Sequence, residues 1–285
     1  MALNLALIQT CTGMDPAAEF AHLGDIIARA AEGADLVTLP EMAVAFAENA
    51  KQLKTLAEPW ENNSQVAWFA EQAAKNQTAI ALGSLAVMHE DGRFANRSVV
   101  FTASGEIAAT YDKIHMFDVT LAGEKPYRES ATYQPGTRAV AVSLPLGQER
   151  VTLGLTVCYD LRFSYLYRDL VHSGAQIFMI PAAFTRPTGK AHWHTLIRAR
   201  AIETSCFVIA TAQSGTHANG RSTYGHSLVV NPWGEVLVDG EQTRQTTILR
   251  ATIDLADLGK TRNAVPSLTH DCAGSYEIKL LEIPS

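Results

Sequence analysis

The chain has 285 residues, with 23 Lys and Arg against 29 Asp and Glu and a formal net charge of −6. At 47% hydrophobic and 18% charged, with 19 glycines and 11 prolines, its composition suits a compact fold with a large core and excludes a mainly disordered or collagen-like chain. The basic residues are scattered, so neither a nucleic-acid face nor an anionic-membrane face is expected, and the expected partner is a small molecule.

The run from Met1 to Gln9 has no basic leader and is broken at Asn4 and Gln9, so it reads as a buried strand and not as a signal peptide. Ala17 to Ala31 reads as an amphipathic helix, with Phe20, Leu23, Ile27 and Ala30 on a common face. Apolar runs at Leu36 to Leu39, Thr78 to Leu82, Val151 to Val157, Ile177 to Ile180 and Phe207 to Ala210 predict buried strands. Trp193 to Thr204 predicts a further helix, with Leu196, Ile197, Ala201 and Ile202 on its apolar side. Turn signals at Asp91-Gly92, Ser104-Gly105 and Asn231-Pro232-Trp233-Gly234 add hairpins, so the class is α/β with mixed sheets. Nothing resembling a linker divides residues 1–285, which predicts one domain. No apolar run nears the ~20 residues of a membrane helix. Cys11, Cys158, Cys206 and Cys272 lack CxxC pairing and read as free thiols, which points to the cytoplasm.

Chemistry is expected where a reactive side chain ends an apolar run, because the strand holds its end rigidly and the next turn exposes the side chain. Cys158 ends such a run, and Tyr159, Asp160 and Arg162 behind it are too polar for a core. Their backbone N–H groups could face an oxyanion beside the sulfur. Glu41 follows Leu36 to Pro40, and Lys113 follows a run from Ile107. Each alone is an ordinary surface charge, but together a carboxylate raised in pKa by desolvation and a nearby ammonium can generate and stabilise a thiolate.

These three segments resemble the nitrilase superfamily of carbon–nitrogen hydrolases, whose Glu-Lys-Cys triad occurs in this chain order. Leu39-Pro40-Glu41, Tyr111-Asp112-Lys113-Ile114-His115 and Thr156-Val157-Cys158-Tyr159-Asp160-Leu161-Arg162-Phe163 carry the likeness, with the three residues 72 and 45 positions apart. Pro181-Ala182-Ala183-Phe184, the segment Thr188 to Glu203, and Gly225 to Gly234 are similar to the Nit subgroup, which contains deaminated glutathione amidases and ω-amidases. The resemblance implies a four-layer αββα sandwich, an amidase working through a thioester on Cys158 with no cofactor, and a homodimer; residues 257–285, with Arg262, Pro266 and Pro284, read as a C-terminal extension expected to pack on the partner. It implies Glu41 as base, Lys113 and the Tyr159 N–H at the oxyanion, and a second glutamate, Glu129, with Glu124 as its rival.

The segment Thr185 to Lys190 reads as a polar loop behind Cys158, and Arg186 or Lys190, with Thr188, is expected to line the acyl pocket. Arg198 and Arg200 come next as anchors. His192 and His194 are two apart, and His115 and His226 have no ligand-like spacing, so no metal is expected. Two other readings are weighed: an inert interaction protein, which would lose one of Glu41, Lys113 and Cys158, and a papain-like hydrolase pairing a cysteine with His172 or His226, which lacks the local sequence.

Overall fold

The computed structural model describes residues 2–121, 126–272, 275 and 279. Glu124 therefore lies outside the described residues, as does the end of the terminal segment expected to pack on a partner, from residue 273 on apart from 275 and 279. Among the described residues two large sheets face one another. One has seven strands in the order Thr247–Asp254, Ala2–Gln9, Leu36–Thr38, Ala79–Met88, Phe94–Phe101 and Ile107–Asp112, with Glu58–Pro59 paired separately to Ala79–Met88. The other has six, ordered Val236–Asp239, Leu228–Val230, Phe207–Ala210, Ile177–Met179, Glu149–Leu155 and Val140–Leu146. Parallel and antiparallel pairs occur in both, as the mixture of helical segments and hairpin signals predicts.

The layering follows from the period of two along a strand that is buried on both faces. In Ala2–Gln9, Leu3, Leu5 and Leu7 face a core shared with Val151, Leu153 and Leu155 of the other sheet. Ala6 and Ile8 point the other way, into a second core with Leu23, Ile27 and Ala30 of helix Pro16–Ala31 and with Phe69 of helix Ser64–Asn76. Helices Ser164–His172 and Arg186–Thr204 cover the outer face of the six-stranded sheet through Leu166, Leu170, Trp193 and Ile197. The four layers are thus helix, sheet, sheet, helix.

One expectation fails. The segment Thr185 to Lys190 is the N-cap residue and opening turns of helix Arg186–Thr204, which begins well before Trp193. Pro187 lies in the first turn, where its missing N–H costs nothing. Gly189 is a packing glycine: a Cβ there would come within 2.3 Å of Tyr224.

Candidate active site

Strands Leu36–Thr38 and Ala79–Met88 run parallel, as do Glu149–Leu155, Ile177–Met179 and Phe207–Ala210. Glu41, Cys158 and Ala183 follow three of these strands, in the crevice where parallel sheets place their ligands. Glu41 sits on a turn that nests into an irregularity of the neighbouring strand. Leu39 N–H donates to Ala81 O, and Met42 N–H donates to Ser84 Oγ. Pairing of Ala79–Met88 with Phe94–Phe101 shifts register between Leu82 and Leu85. Within that bulge Gly83 lets the Pro40 backbone approach so closely that a Cβ would lie 2.2 Å from Leu39 O.

Lys113 leaves strand Ile107–Asp112 and is buried. Its Nζ donates to Glu41 Oε1 at 3.0 Å and to both Glu129 oxygens at 2.9 Å. Glu129 opens a short 3-10 turn, Glu129–Ala131, and its Oε2 also accepts the Phe117 N–H at 2.6 Å. Glu41 Oε1 accepts from Asn96 Nδ2 at 2.8 Å, and its Oε2 from the Ala183 N–H at 2.9 Å.

Cys158 begins a 3-10 turn, Cys158–Arg162, with φ at +52°, a left-handed conformation that a cysteine adopts only when its surroundings hold it. Its N–H donates to Pro181 O at 2.9 Å. Asp160, fully buried, clamps this turn: it accepts from the Val157 N–H, Tyr111 Oη, the His115 N–H and His115 Nδ1, all at 2.7–3.0 Å. The thiol faces the Glu41 carboxylate and the Ala183 N–H.

The charges sort themselves accordingly. Burial alone would raise Glu41, but the Lys113 ammonium, with hydrogen bonds from Cys158, Lys113 and Asn96, outweighs it and holds the carboxyl below its usual range. This corrects the expectation that desolvation decides its pKa. Burial and the Glu41 charge push the Cys158 thiol well up despite Lys113. Burial would lower Lys113, yet Glu129 and Glu41 hold its ammonium well above the ordinary value. At rest the site holds carboxylate, ammonium and a protonated thiol poised to give its proton to Glu41.

These groups lie at a cavity of about 230 Å³. Tyr159 and Thr188 also line it. Arg186 and Lys190 do not: they are exposed on the helix, and Arg186 donates to Gln242 Oε1 instead. Arg198 donates to Gly234 O, and Arg200 to Leu161 O and Glu203, so neither reaches the cavity. Its guanidinium groups are Arg128 and Arg221. Arg221 lies over the rings of Phe46 and Tyr127, at 4.8 and 5.3 Å, and no carboxylate among the described residues pairs with it. Sequence reasoning missed Asn96, Ala183, Arg128 and Arg221. Ala183 acts through its backbone and carries no side-chain signal, whereas Asn96 is a polar residue inside a β-prone run and could have been flagged.

The histidines also depart from expectation. His194 and His226, which have no ligand spacing in the sequence, converge with Asp239 because helix Arg186–Thr204 packs on strand Leu228–Val230.

The carbon-nitrogen hydrolase family model matches residues 4–263. The chain is 38% identical to the deaminated glutathione amidase of Yersinia enterocolitica over 271 residues, 94% of this chain and 92% of that protein. The NitFhit protein of C. elegans superposes with a TM-score of 0.87 at 32% identity, over 97% of this chain and 66% of that one. Saccharomyces cerevisiae Nit3, a member of branch 10 of the nitrilase superfamily, gives 0.82 at 26%, over 93% and 94%. With the motifs in order along the sequence and the αββα layers beneath them, this chain belongs to the carbon–nitrogen hydrolase family and is an amidase that cleaves carbon–nitrogen bonds.

Proposed function

We propose that the chain is a deaminated glutathione amidase, splitting that amide into 2-oxoglutarate and Cys-Gly. The observation that carries the reading is the pairing, in one cavity, of the Cys158–Glu41–Lys113 cluster with the guanidinium of Arg221, which no carboxylate among the described residues pairs. A substrate whose acyl part ends in a free carboxylate gives that cation a partner within the cavity. The relatives named as deaminated glutathione amidases support the same choice.

In this mechanism Glu41 takes the Cys158 proton as sulfur attacks the amide carbonyl. Lys113 Nζ and the Tyr159 N–H hold the oxyanion, while Glu129 and Asn96 keep the ammonium and the carboxylate in place. Collapse of the tetrahedral adduct breaks the C–N bond, and Glu41 returns its proton to the departing amine of Cys-Gly. A water then gives a proton to Glu41, adds to the thioester and releases 2-oxoglutarate, and the proton goes back to sulfur. The protein works as one catalytic domain and a cytoplasmic homodimer. Free thiols at Cys11, Cys158, Cys206 and Cys272 suit a reducing compartment, and exposed Ile202, Trp233 and Val265 suit a covered face.

The test is a panel of deaminated glutathione, α-ketoglutaramate and neutral short amides ranked by kcat/KM. The reading requires deaminated glutathione to lead. Preference for α-ketoglutaramate would make the enzyme an ω-amidase with the same acyl pocket, and preference for neutral amides would remove the role given to Arg221.

A further inference from the structure

We propose that His194, His226 and Asp239 form a site for a divalent transition-metal ion of the zinc class, separate from the catalytic cavity. None of the three lines that cavity. His194 comes from helix Arg186–Thr204, Asp239 ends strand Val236–Asp239, and His226 lies in the turn before strand Leu228–Val230. His194 Nε2 lies 2.9 Å from Asp239 Oδ2, and His226 Nδ1 lies 2.8 Å from Oδ1 of the same carboxylate. All three ligand atoms fall within 4.8 Å of one another.

Bonds of about 2.0–2.2 Å to a tetrahedral ion put the ligands roughly 3.4 Å apart. The two imidazole–carboxylate separations are already shorter than that. The remaining adjustment is to draw together ligand atoms that already lie within 4.8 Å of one another. Two imidazoles and one carboxylate select zinc, cobalt or nickel over magnesium and calcium, which prefer oxygen alone, and leave a fourth position to water.

The surroundings hold the ligands as a metal site requires. The Glu241 N–H donates to Asp239 Oδ1 at 2.8 Å and fixes the carboxylate. Tyr224 stacks on the His226 ring at 4.4 Å, and Trp193 Nε1 donates to His226 O at 2.7 Å. His226 itself is held at φ +56°, next to Gly225 at +74°. On binding, each imidazole moves its N–H proton to its other ring nitrogen and offers the freed lone pair to the ion, so the two hydrogen bonds to Asp239 are exchanged for metal bonds. The ion would cross-link the helix to the strand pair beneath it. Through Trp193, whose ring lies 4.7 Å from Phe184 of the cavity wall, it would stiffen the wall from behind.

Titration of the intact protein with Co2+ tests this, because cobalt in an N/O site shows d–d absorbance without the charge-transfer band of a thiolate ligand. One equivalent is expected to bind with such a spectrum, to be displaced by Zn2+, and to raise the melting temperature. His194→Gln and Asp239→Asn should each weaken binding at least tenfold, and His194→Gln, on the exposed helix face, should leave amide hydrolysis unchanged without metal. Absence of saturable binding, a thiolate band, or native affinity in either variant would overturn the site.

Discussion

An ammonium buried between two carboxylates fixes the resting charge of the centre, and removing one member has a calculable sign. Cys158→Ala and Cys158→Ser should fold and lose hydrolysis, since neither supplies a thiolate, and only the native protein should show an acyl adduct on the Cys158 peptide by mass spectrometry. Glu41→Gln should block acylation and deacylation alike, because an amide takes no proton. Lys113→Ala should lower kcat by a factor on the order of 10²–10³, as for a lost oxyanion donor. It should also move the pH profile. In the native enzyme Lys113 holds Glu41 below the usual carboxyl range against burial, so activity persists down into that acidic range and falls as Glu41 protonates. Without the ammonium, burial prevails and the acid limb of kcat/KM should shift to higher pH; an unmoved limb would take that role from Lys113. Arg221→Ala should cost carboxylated amides about 10-fold to 100-fold relative to neutral analogues, the equivalent of ~1.5–3 kcal/mol for a hydrogen bond to a charged group. Equal losses on both substrates would point to packing against Phe46 and Tyr127 as its main contribution.

Strand ends were the legible part of this protein. Glu41, Lys113 and Cys158 each follow a β-prone run, and the two-residue and helical periods that locate those runs are local properties of the chain. The start of helix Arg186–Thr204 was not legible, because a proline and a glycine at its opening mimic a loop while serving as a first-turn residue and a contact for Tyr224. Gly83 shows the same thing inside a strand, where its lack of a side chain admits the turn that carries Glu41. Gly83→Ala would drive a methyl to 2.2 Å from Leu39 O and 2.3 Å from Pro40 O, both backbone atoms that cannot step aside cheaply. The strand or the turn must move, with a stability loss typical of overpacking, about 1–3 kcal/mol. Because the displaced turn bears Glu41, kcat should fall more steeply than the folded fraction. A variant with native kcat and a lowered melting temperature would show that the turn tolerates the shift.

No local pattern could bring Asn96 and Ala183 to Glu41 or Arg221 to the same cavity, since each reaches the site through pairing of distant strands or packing of one sheet on the other. The seven-stranded sheet supplies Glu41, Lys113 and Asn96, and the six-stranded sheet supplies Cys158 and the Ala183 N–H. The joint between them is polar as well as apolar. Thr38 Oγ1 meets Thr211 Oγ1 at 2.5 Å, Gln213 Nε2 donates to Glu41 O at 3.0 Å, and Tyr111 Oη donates across to Asp160 at 2.7 Å. All of these residues are buried, so parting the sheets would strand several donors and acceptors at about 1–3 kcal/mol each while exposing the shared core of Leu3, Leu5, Leu153 and Leu155. Catalysis and global structure therefore depend on the same contact. In urea, loss of amidase activity should coincide with loss of far-UV circular dichroism, with one midpoint and one slope. Loss of activity at distinctly lower urea, with the dichroism intact, would show that the catalytic groups can separate while the sandwich stays closed, and would move the weak point to the 3-10 turn that carries Glu129.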